Sequence, residues 1–572
     1  MTSASHYDAI IVGAGFSGLY MLHRLRGLGL SARVYERGSG VGGTWYWNRY
    51  PGARCDVESV QYSYSFSDEL QQEWQWTERY AGQAEILRYA NHVADRFDLR
   101  RDIELNTSVV SAEFDEAGNR WRVTLGDGRR ASAQHLVMAV GCLSNARVPD
   151  FPGLASFTGR VYHTGAWPHE GVDFTGLRVG VVGTGSSAIQ SIPVIAAEAK
   201  HVTVFQRTPN YSIPARNYPL SDDEKRAWAE NYPEFRRRAR EEMRNGIVSE
   251  IPQHGALDVS DAVRDAAYEF RWKRGGIPFM STYNNLALDK AANDTAAEFV
   301  RRKIGEVVRD PVVAKLLQPT TYPIGTKRIC LDTDYFETFN RDNVTLVDIR
   351  SAPIDEITPK GIITGGKEYE LDAIVFATGF DAMTGSFASI EIRGRDGLTL
   401  KEKWEEGPKT YLGLMVAGFP DMFLITGPGS PSVLSNMIVS IEQHVDWVTD
   451  CIAYQREHDI ACMDATQGAE DDWSRTSTRW RTARSIRRRT PGTWARTFPA
   501  SRACSCPISA ASRPIGRSAT MWWRRAMRAS RGRRSIASLL PSNQPIDPSA
   551  MVSGRCAIRE AKSSSCVMNT TP

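Results

Sequence analysis

Two glycine turns, and the charged residue that follows each, are the parts of this chain best equipped for chemistry. Gly13, Gly15 and Gly18 stand in G-x-G-x-x-G spacing within "VGAGFSGLY". Glycine lets the backbone turn tightly and approach a pyrophosphate, which settles on the N-terminus of the following helix. Glu36 follows at the end of the next strand. A carboxylate there accepts hydrogen bonds from ribose hydroxyls and repels a 2′-phosphate. Gly42 and Gly43 permit a second close approach. The second turn is Gly183-Thr184-Gly185-Ser186-Ser187-Ala188, and Arg207 stands where the first turn has Glu36. A guanidinium pairs bidentately with a 2′-phosphate. An acidic ribose binder followed by a basic one implies two different dinucleotides. FAD with NADPH is the economical pair, hydride passing from nicotinamide to flavin.

The elements that position these turns read as two βαβ openings. "YDAIIV", "LYMLHRLRGLGL" and "ARVY" form strand, helix and strand, and residues 177–209 repeat the pattern. The expected class is α/β with two Rossmann-like dinucleotide-binding domains. Residues 1–150 are assigned to the FAD-binding domain and 151–219 to the NADP-binding domain. Residues 220–318 read as a charged helical insertion whose charges face solvent. Residues 319–370 return to the NADP domain and 371–473 to the FAD domain. The Arg-rich stretch 474–572 reads as irregular or disordered.

The totals limit the function classes. At 572 residues the chain is too long for one core, and 42% hydrophobic with 24% charged residues reads as globular. No apolar run is long enough to span a membrane, and the start lacks the pattern of a signal peptide. Nine cysteines without a C-x-x-C pair point to a reducing cytoplasm. No metal site is expected, and the chain reads as a monomer. The net charge of +4 hides an asymmetry: 20 Lys and Arg against 2 Asp and Glu follow Trp473, so the first 473 residues carry −14.

Between the glycine turns, "FTGRVYHTGAWP" carries Phe157, Gly159, His163, Trp167 and Pro168 as F-x-G-x-x-x-H-x-x-x-W-P. This spacing resembles the fingerprint of the type I Baeyer–Villiger monooxygenases. "GGTWYWNRYPGARCDVES" (42–59), "GTKRICLDTDYFETFNRDNV" (325–344), "FATGFDAMTG" (376–385) and "GPGSPSVLSNMIVSIEQHVDW" (427–447) resemble the same family. The resemblance covers about residues 5–473. It implies FAD- and NADPH-dependent oxidation of a ketone by O2 to an ester or lactone, through a flavin C4a-peroxide. Arg328 matches the cation that shelters the oxidant and Asp56 the carboxylate that orients it. Ser17, Glu36, Gly43, Thr44, Trp45, Asp56, Tyr62, Val109 and Met437 match flavin contacts. Lys327 joins Arg207 on the 2′-phosphate, with Arg54, Thr208 and Arg328 along the NADP path. The loop from Pro431 to Asn436 favours aryl-ketone or steroid substrates over small cyclic ones. For His163 the resemblance implies a place at the domain junction. Residue type alone leaves it as a structural histidine, an acid or base, or a hinge piece.

A flavin monooxygenase acting on nitrogen or sulfur is the nearest alternative. A pyridine nucleotide–disulfide reductase would need a redox cysteine pair, which the sequence does not offer. A nucleic-acid arm in the tail lacks a reader domain. The tail instead reads as GC-rich DNA out of register. Residues 489–502, back-translated and shifted by one base, give Asn-Ser-Trp-Tyr-Met-Gly-Ala-Asn-Val-Pro-Gly-Lys-Pro, which resembles the family's loop that closes over NADP. Resequencing the gene near the codon for Trp473 should reveal a frameshift. A clean open frame through that region would contradict it.

Overall fold

The structure, a computed structural model, describes residues 5–430 and 434–484, with side chains as far as residue 477. Residues 431–433 of the expected substrate loop lie outside the described residues, as do the tail after 484 and the frame argument made on it.

The first glycine turn joins β1 (Ser5–Val12) to α1 (Phe16–Gly27), and β2 (Ala32–Tyr35) pairs parallel with β1. On the other side of β1 lies β3 (Arg130–Met138), also parallel. They belong to an 8-stranded sheet that later chain rejoins through the strands Glu391–Arg393 and Met422–Leu424. The second sheet has 5 strands, all parallel: Val344–Asp348, then His201–Gln206, Arg178–Val182, Ala373–Phe376 and Arg160–His163. In chain order these are β4 (Arg160–His163), β5 (Arg178–Val182), β6 (His201–Gln206), β7 (Val344–Asp348) and β8 (Ala373–Phe376). The second glycine turn joins β5 to α2 (Ser186–Glu198).

One boundary differs from the expectation. β8 lies inside the second sheet, paired between β5 and β4, so the chain returns to the first sheet after residue 376 and not at 371. All four residues of β8 are buried. An apolar run buried on both faces reads alike in either sheet, and only pairing assigns it.

The charged stretch 220–318 does not form a unit of its own. Ser221 and Glu224 cap α3 (Asp222–Glu241) reciprocally, Glu224 N–H donating to Ser221 Oγ and Ser221 N–H to Glu224 Oε2. Its buried Arg236 donates to Gln71 Oε1 at 2.9 Å and Ser63 Oγ at 2.7 Å, so this helix packs on the flavin side. α4 (Asp261–Arg274) and α5 (Lys290–Val307) bury Tyr268, Trp272, Phe299 and Ile304 in the core that also holds Val179, Ile189 and Val204 of the second unit. Charges such as Arg302 with Asp265 stay on the outer face, while Arg271 is buried.

α6 (Met437–Glu457) crosses back over α1, and α7 (Gln467–Arg484) runs through the expected boundary at 473. Buried Glu470 ties α7 down, accepting from Ala417 N–H at 2.9 Å and pairing with Lys403 at 2.9 Å. No helix of the described residues is long and apolar enough to cross a membrane. No cluster of three or more potential metal ligands occurs among them.

Asp421 is fully buried beside His135, 3.9 Å away, and accepts from Met463 N–H at 3.0 Å. Burial pushes its carboxyl up to about 7. The folded state therefore holds a proton that the unfolded chain, with a carboxyl near 3.9, has lost. This contribution falls as pH rises from about 4 to about 7 and is constant above. Asp421→Asn should gain melting temperature over the parent progressively through that window and hold a constant lead above it. A lead independent of pH would contradict the buried-proton account.

Candidate functional site

The first turn is built by contact between backbones. A Cβ on Gly18 would lie 1.9 Å from the Gly13 carbonyl oxygen, so only glycine lets α1 start this close to the strand end. α1 begins after Gly15 with no side-chain cap on its first amides, which leaves the helix N-terminus available to an anion. Gly43 packs against Gly15, bringing in the segment that carries Thr44 and Trp45. Glu36 is buried and braces the turn, accepting from Ala14 N–H and Gly38 N–H, both at 2.8 Å. Each carboxylate oxygen can still accept a ribose hydroxyl. Trp45 and Ser17 are buried, and Trp45 Nε1 donates to Tyr62 OH at 3.2 Å. Val109 is buried at the start of its strand, Met437 is half-buried as the first residue of α6, and Thr44 is exposed. This glycine cradle, uncapped helix and buried acid fit an FAD.

The second turn repeats the design. α2 begins after Gly185, again without a side-chain cap, and Ser186 and Ser187 open the helix. Thr184 Oγ1 donates to the Thr208 carbonyl at 2.9 Å, tying the turn to the end of β6. Arg207 and Lys327 are exposed neighbours. Burial of its stem and the Arg207 charge hold the Lys327 ammonium below its usual range. Among the described residues neither cation pairs with a carboxylate. Two adjacent cations without acids at a dinucleotide turn fit the 2′-phosphate of NADP. Arg54, expected along the NADP path, donates to Glu78 Oε2 at 3.1 Å and the Tyr80 carbonyl at 2.7 Å.

Arg328 and Asp56 meet across the two units. Arg328 Nε donates to Asp56 Oδ2 at 3.0 Å, with Asp56 9% and Arg328 23% exposed. Burial pushes the Asp56 carboxyl above its usual range, while the Arg328 charge and the Leu331 N–H draw it back. The sequence reading missed Gln190 on α2. Its Nε2 donates to Asp56 Oδ1 at 3.4 Å and to the Arg54 carbonyl at 3.1 Å, and its Oε1 accepts from Tyr50 OH at 2.9 Å. The signal was present: Gln190 lies one helical turn after Ser186, on the same helix face.

His163 ends β4 at the crossing between the units. The outgoing and returning linkers pair through Arg147 N–H to the Gly379 carbonyl and Asp381 N–H to the Asn145 carbonyl. His163 Nδ1 accepts from Gly165 N–H at 2.9 Å, so Nε2 carries the proton and donates to the Arg147 carbonyl at 3.1 Å. Burial holds the imidazole below its usual range, as a neutral ring. Trp167 is buried against Tyr162 and Phe174, and Gly159 sits against the Asp372 carbonyl and the Phe157 ring. Pro168 follows, half-buried.

Fold and site together define a two-dinucleotide oxidoreductase, and the comparisons agree. A family described as pyridine nucleotide-disulphide oxidoreductase matches residues 10–232. The chain is 43% identical over 82% of its length to a Baeyer–Villiger monooxygenase of Pseudooceanicola batsensis, covering 86% of that protein. It is 42% identical to the phenazine N-monooxygenase PhzNO1 of Lysobacter antibioticus, over 82% of this chain and 87% of that one. An oxidised steroid monooxygenase bound to NADP superposes with a TM-score of 0.81 at 56% identity, covering 84% of this chain and 92% of that one. The chain belongs to the type I Baeyer–Villiger monooxygenases. It is a flavoprotein that uses FAD and NADP. Burial pushes the Cys55 and Cys330 thiols up to about 12, away from thiolate character.

Gly52 sets the site's clearance. Its φ is +76°, and a Cβ there would lie 2.3 Å from the Gln190 carbonyl oxygen. Gly52→Ala should therefore push the segment bearing Asp56 off α2. The expected outcome is normal flavin content with turnover lowered roughly ten-fold or more, measured as kcat per bound flavin. An unchanged kcat would show that this contact does not position the site.

Proposed function

We propose that the chain catalyses NADPH- and O2-dependent oxidation of a ketone to an ester or lactone, releasing NADP+ and water. The contact between Arg328 and Asp56 carries this reading, because it supports a fixed cation beside α2, the helix that opens the second glycine turn. When bound, the flavin supplies the redox chemistry, taking hydride from NADPH and activating O2 for transfer of one oxygen atom. Gly13, Gly15, Gly18 and Glu36 would hold its pyrophosphate and ribose, and Trp45, Tyr62 and Met437 would border the ring end. Gly183, Gly185, Ser186 and Ser187 would take the NADP pyrophosphate, with Arg207, Thr208 and Lys327 on the 2′-phosphate.

The Arg328 guanidinium offers a positive field to the oxyanion that forms when a carbonyl is attacked. Asp56 fixes the direction of that guanidinium, and Gln190 fixes Asp56. His163 holds the linkers and moves no proton. Tyr62 and Trp45, packed edge to face, exclude water beside the pair.

Aryl and steroid ketones are the first substrates to test, given the steroid monooxygenase likeness. The described cysteines are free thiols, which supports a cytoplasmic enzyme. Oxygenation at nitrogen or sulfur is the second reading, favoured by the phenazine N-monooxygenase likeness.

The test is a ketone panel with NADPH and 18O2, run on the chain as written and on a frame-restored gene. Esters or lactones carrying one labelled oxygen are expected. Sulfoxide or N-oxide from control substrates, with no ester from any ketone, would support the second reading. Arg207→Ala should raise KM for NADPH roughly ten-fold or more and leave that for NADH unchanged. Equal effects on both coenzymes would remove Arg207 from the 2′-phosphate.

A further inference from the structure

Lys327 and Arg328 are adjacent in sequence and serve opposite ends of the site. Arg328 turns inward to Asp56, and Lys327 turns outward toward Arg207. Both follow directly on a turn in which Thr326 N–H donates to the Pro323 carbonyl. A lysine beside another cation gains nothing from a fixed position unless something holds it there. Left alone, its flexible stem would swing the ammonium into water, away from Arg207.

Tyr322 does the holding. Lys327 Nζ sits 4.5 Å from the centroid of the Tyr322 ring. The ring face is electron-rich and attracts an ammonium without neutralising it. The ring is itself fixed. Its hydroxyl donates within a pair of short contacts, to the Pro209 carbonyl at 2.9 Å and Asn210 Oδ1 at 2.8 Å. Asn210 Nδ2 in turn donates to the Thr184 carbonyl at 2.9 Å, inside the second glycine turn. An edge-to-face contact with Tyr211, centroids 5.5 Å apart, and 8% exposure hold the ring in the core.

We propose that Tyr322 is a specificity-positioning residue for the coenzyme: its ring holds Lys327 beside Arg207, and its hydroxyl locks that pair to the glycine turn. The inference rests on the reading of Arg207 and Lys327 as the 2′-phosphate site. An aromatic face suits the purpose better than a carboxylate. A carboxylate would neutralise the ammonium and repel the phosphate, whereas the ring orients the cation and leaves its charge for the ligand. The predicted discrimination is between nucleotides that differ only in a 2′-phosphate.

The test needs no turnover. The FAD-loaded protein is titrated calorimetrically with 2′,5′-ADP and with 5′-ADP. Tyr322→Leu should weaken 2′,5′-ADP roughly ten-fold and leave 5′-ADP unchanged. Tyr322→Phe keeps the ring and the core packing but loses the tether, so it should weaken 2′,5′-ADP by a smaller factor. It also serves if the leucine variant fails to fold. Wild-type affinity for 2′,5′-ADP in Tyr322→Phe would overturn the proposal, and so would an equal loss of both nucleotides or no loss in Tyr322→Leu. Arg207→Ala and Lys327→Ala separate the two levels. If both lose 2′,5′-ADP while the Tyr322 variants do not, the 2′-phosphate reading stands and the role of Tyr322 falls. If neither loses it, the 2′-phosphate reading itself fails.

Discussion

The ion pair between Asp56 and Arg328 is the contact on which the rest of the molecule depends. It joins a carboxylate from the flavin-side loop to a guanidinium from the nucleotide-side loop, at 3.0 Å and largely out of solvent. Burying two charges costs several kcal/mol each, and the cost is offset only if geometry is good and the remaining polar atoms are satisfied. Gln190 and the Leu331 N–H supply that satisfaction on the carboxylate side. The pair therefore forms only when the two units sit in one relation to each other.

The rest of the architecture fixes that relation. The chain leaves the first sheet and returns to it through two linkers that pair with each other, and His163 clamps both from the end of β4. The neutral ring makes the clamp insensitive to pH above its lowered pKa. Gly52 lets the Asp56 loop lie directly on α2, the helix that opens the nucleotide site. The same helix carries Ser186 and Ser187 at its start and Gln190 one turn on. Coenzyme site and ion pair thus share one rigid element.

Much of this was legible in the residues. The two glycine turns, their opposite ribose partners and the spacing around His163 carry chemical requirements that local sequence states directly. Burial of an apolar strand does not say which sheet it joins, so β8 was placed with the wrong half. The charged stretch 220–318 showed its solvent face plainly, and its buried face only as isolated aromatics such as Trp272 and Phe299. They share one core with Val179 of β5 and Val204 of β6, far away in sequence. Gln190 and Tyr322 escaped notice because each acts through a neighbour. The ion pair of Arg54 with Glu78 joins residues 24 apart, which local pattern does not show.

The central claim is that the cation at 328 directs oxygen to the carbonyl without being needed to load the coenzymes. Rapid-mixing spectroscopy of the Arg328→Ala holoenzyme, with product analysis on a ketone the parent oxidises, tests it most directly. The account predicts that NADPH still bleaches the flavin while ester formation drops below detection and hydrogen peroxide accumulates instead. Ester formed at the parent's rate by this variant would contradict it.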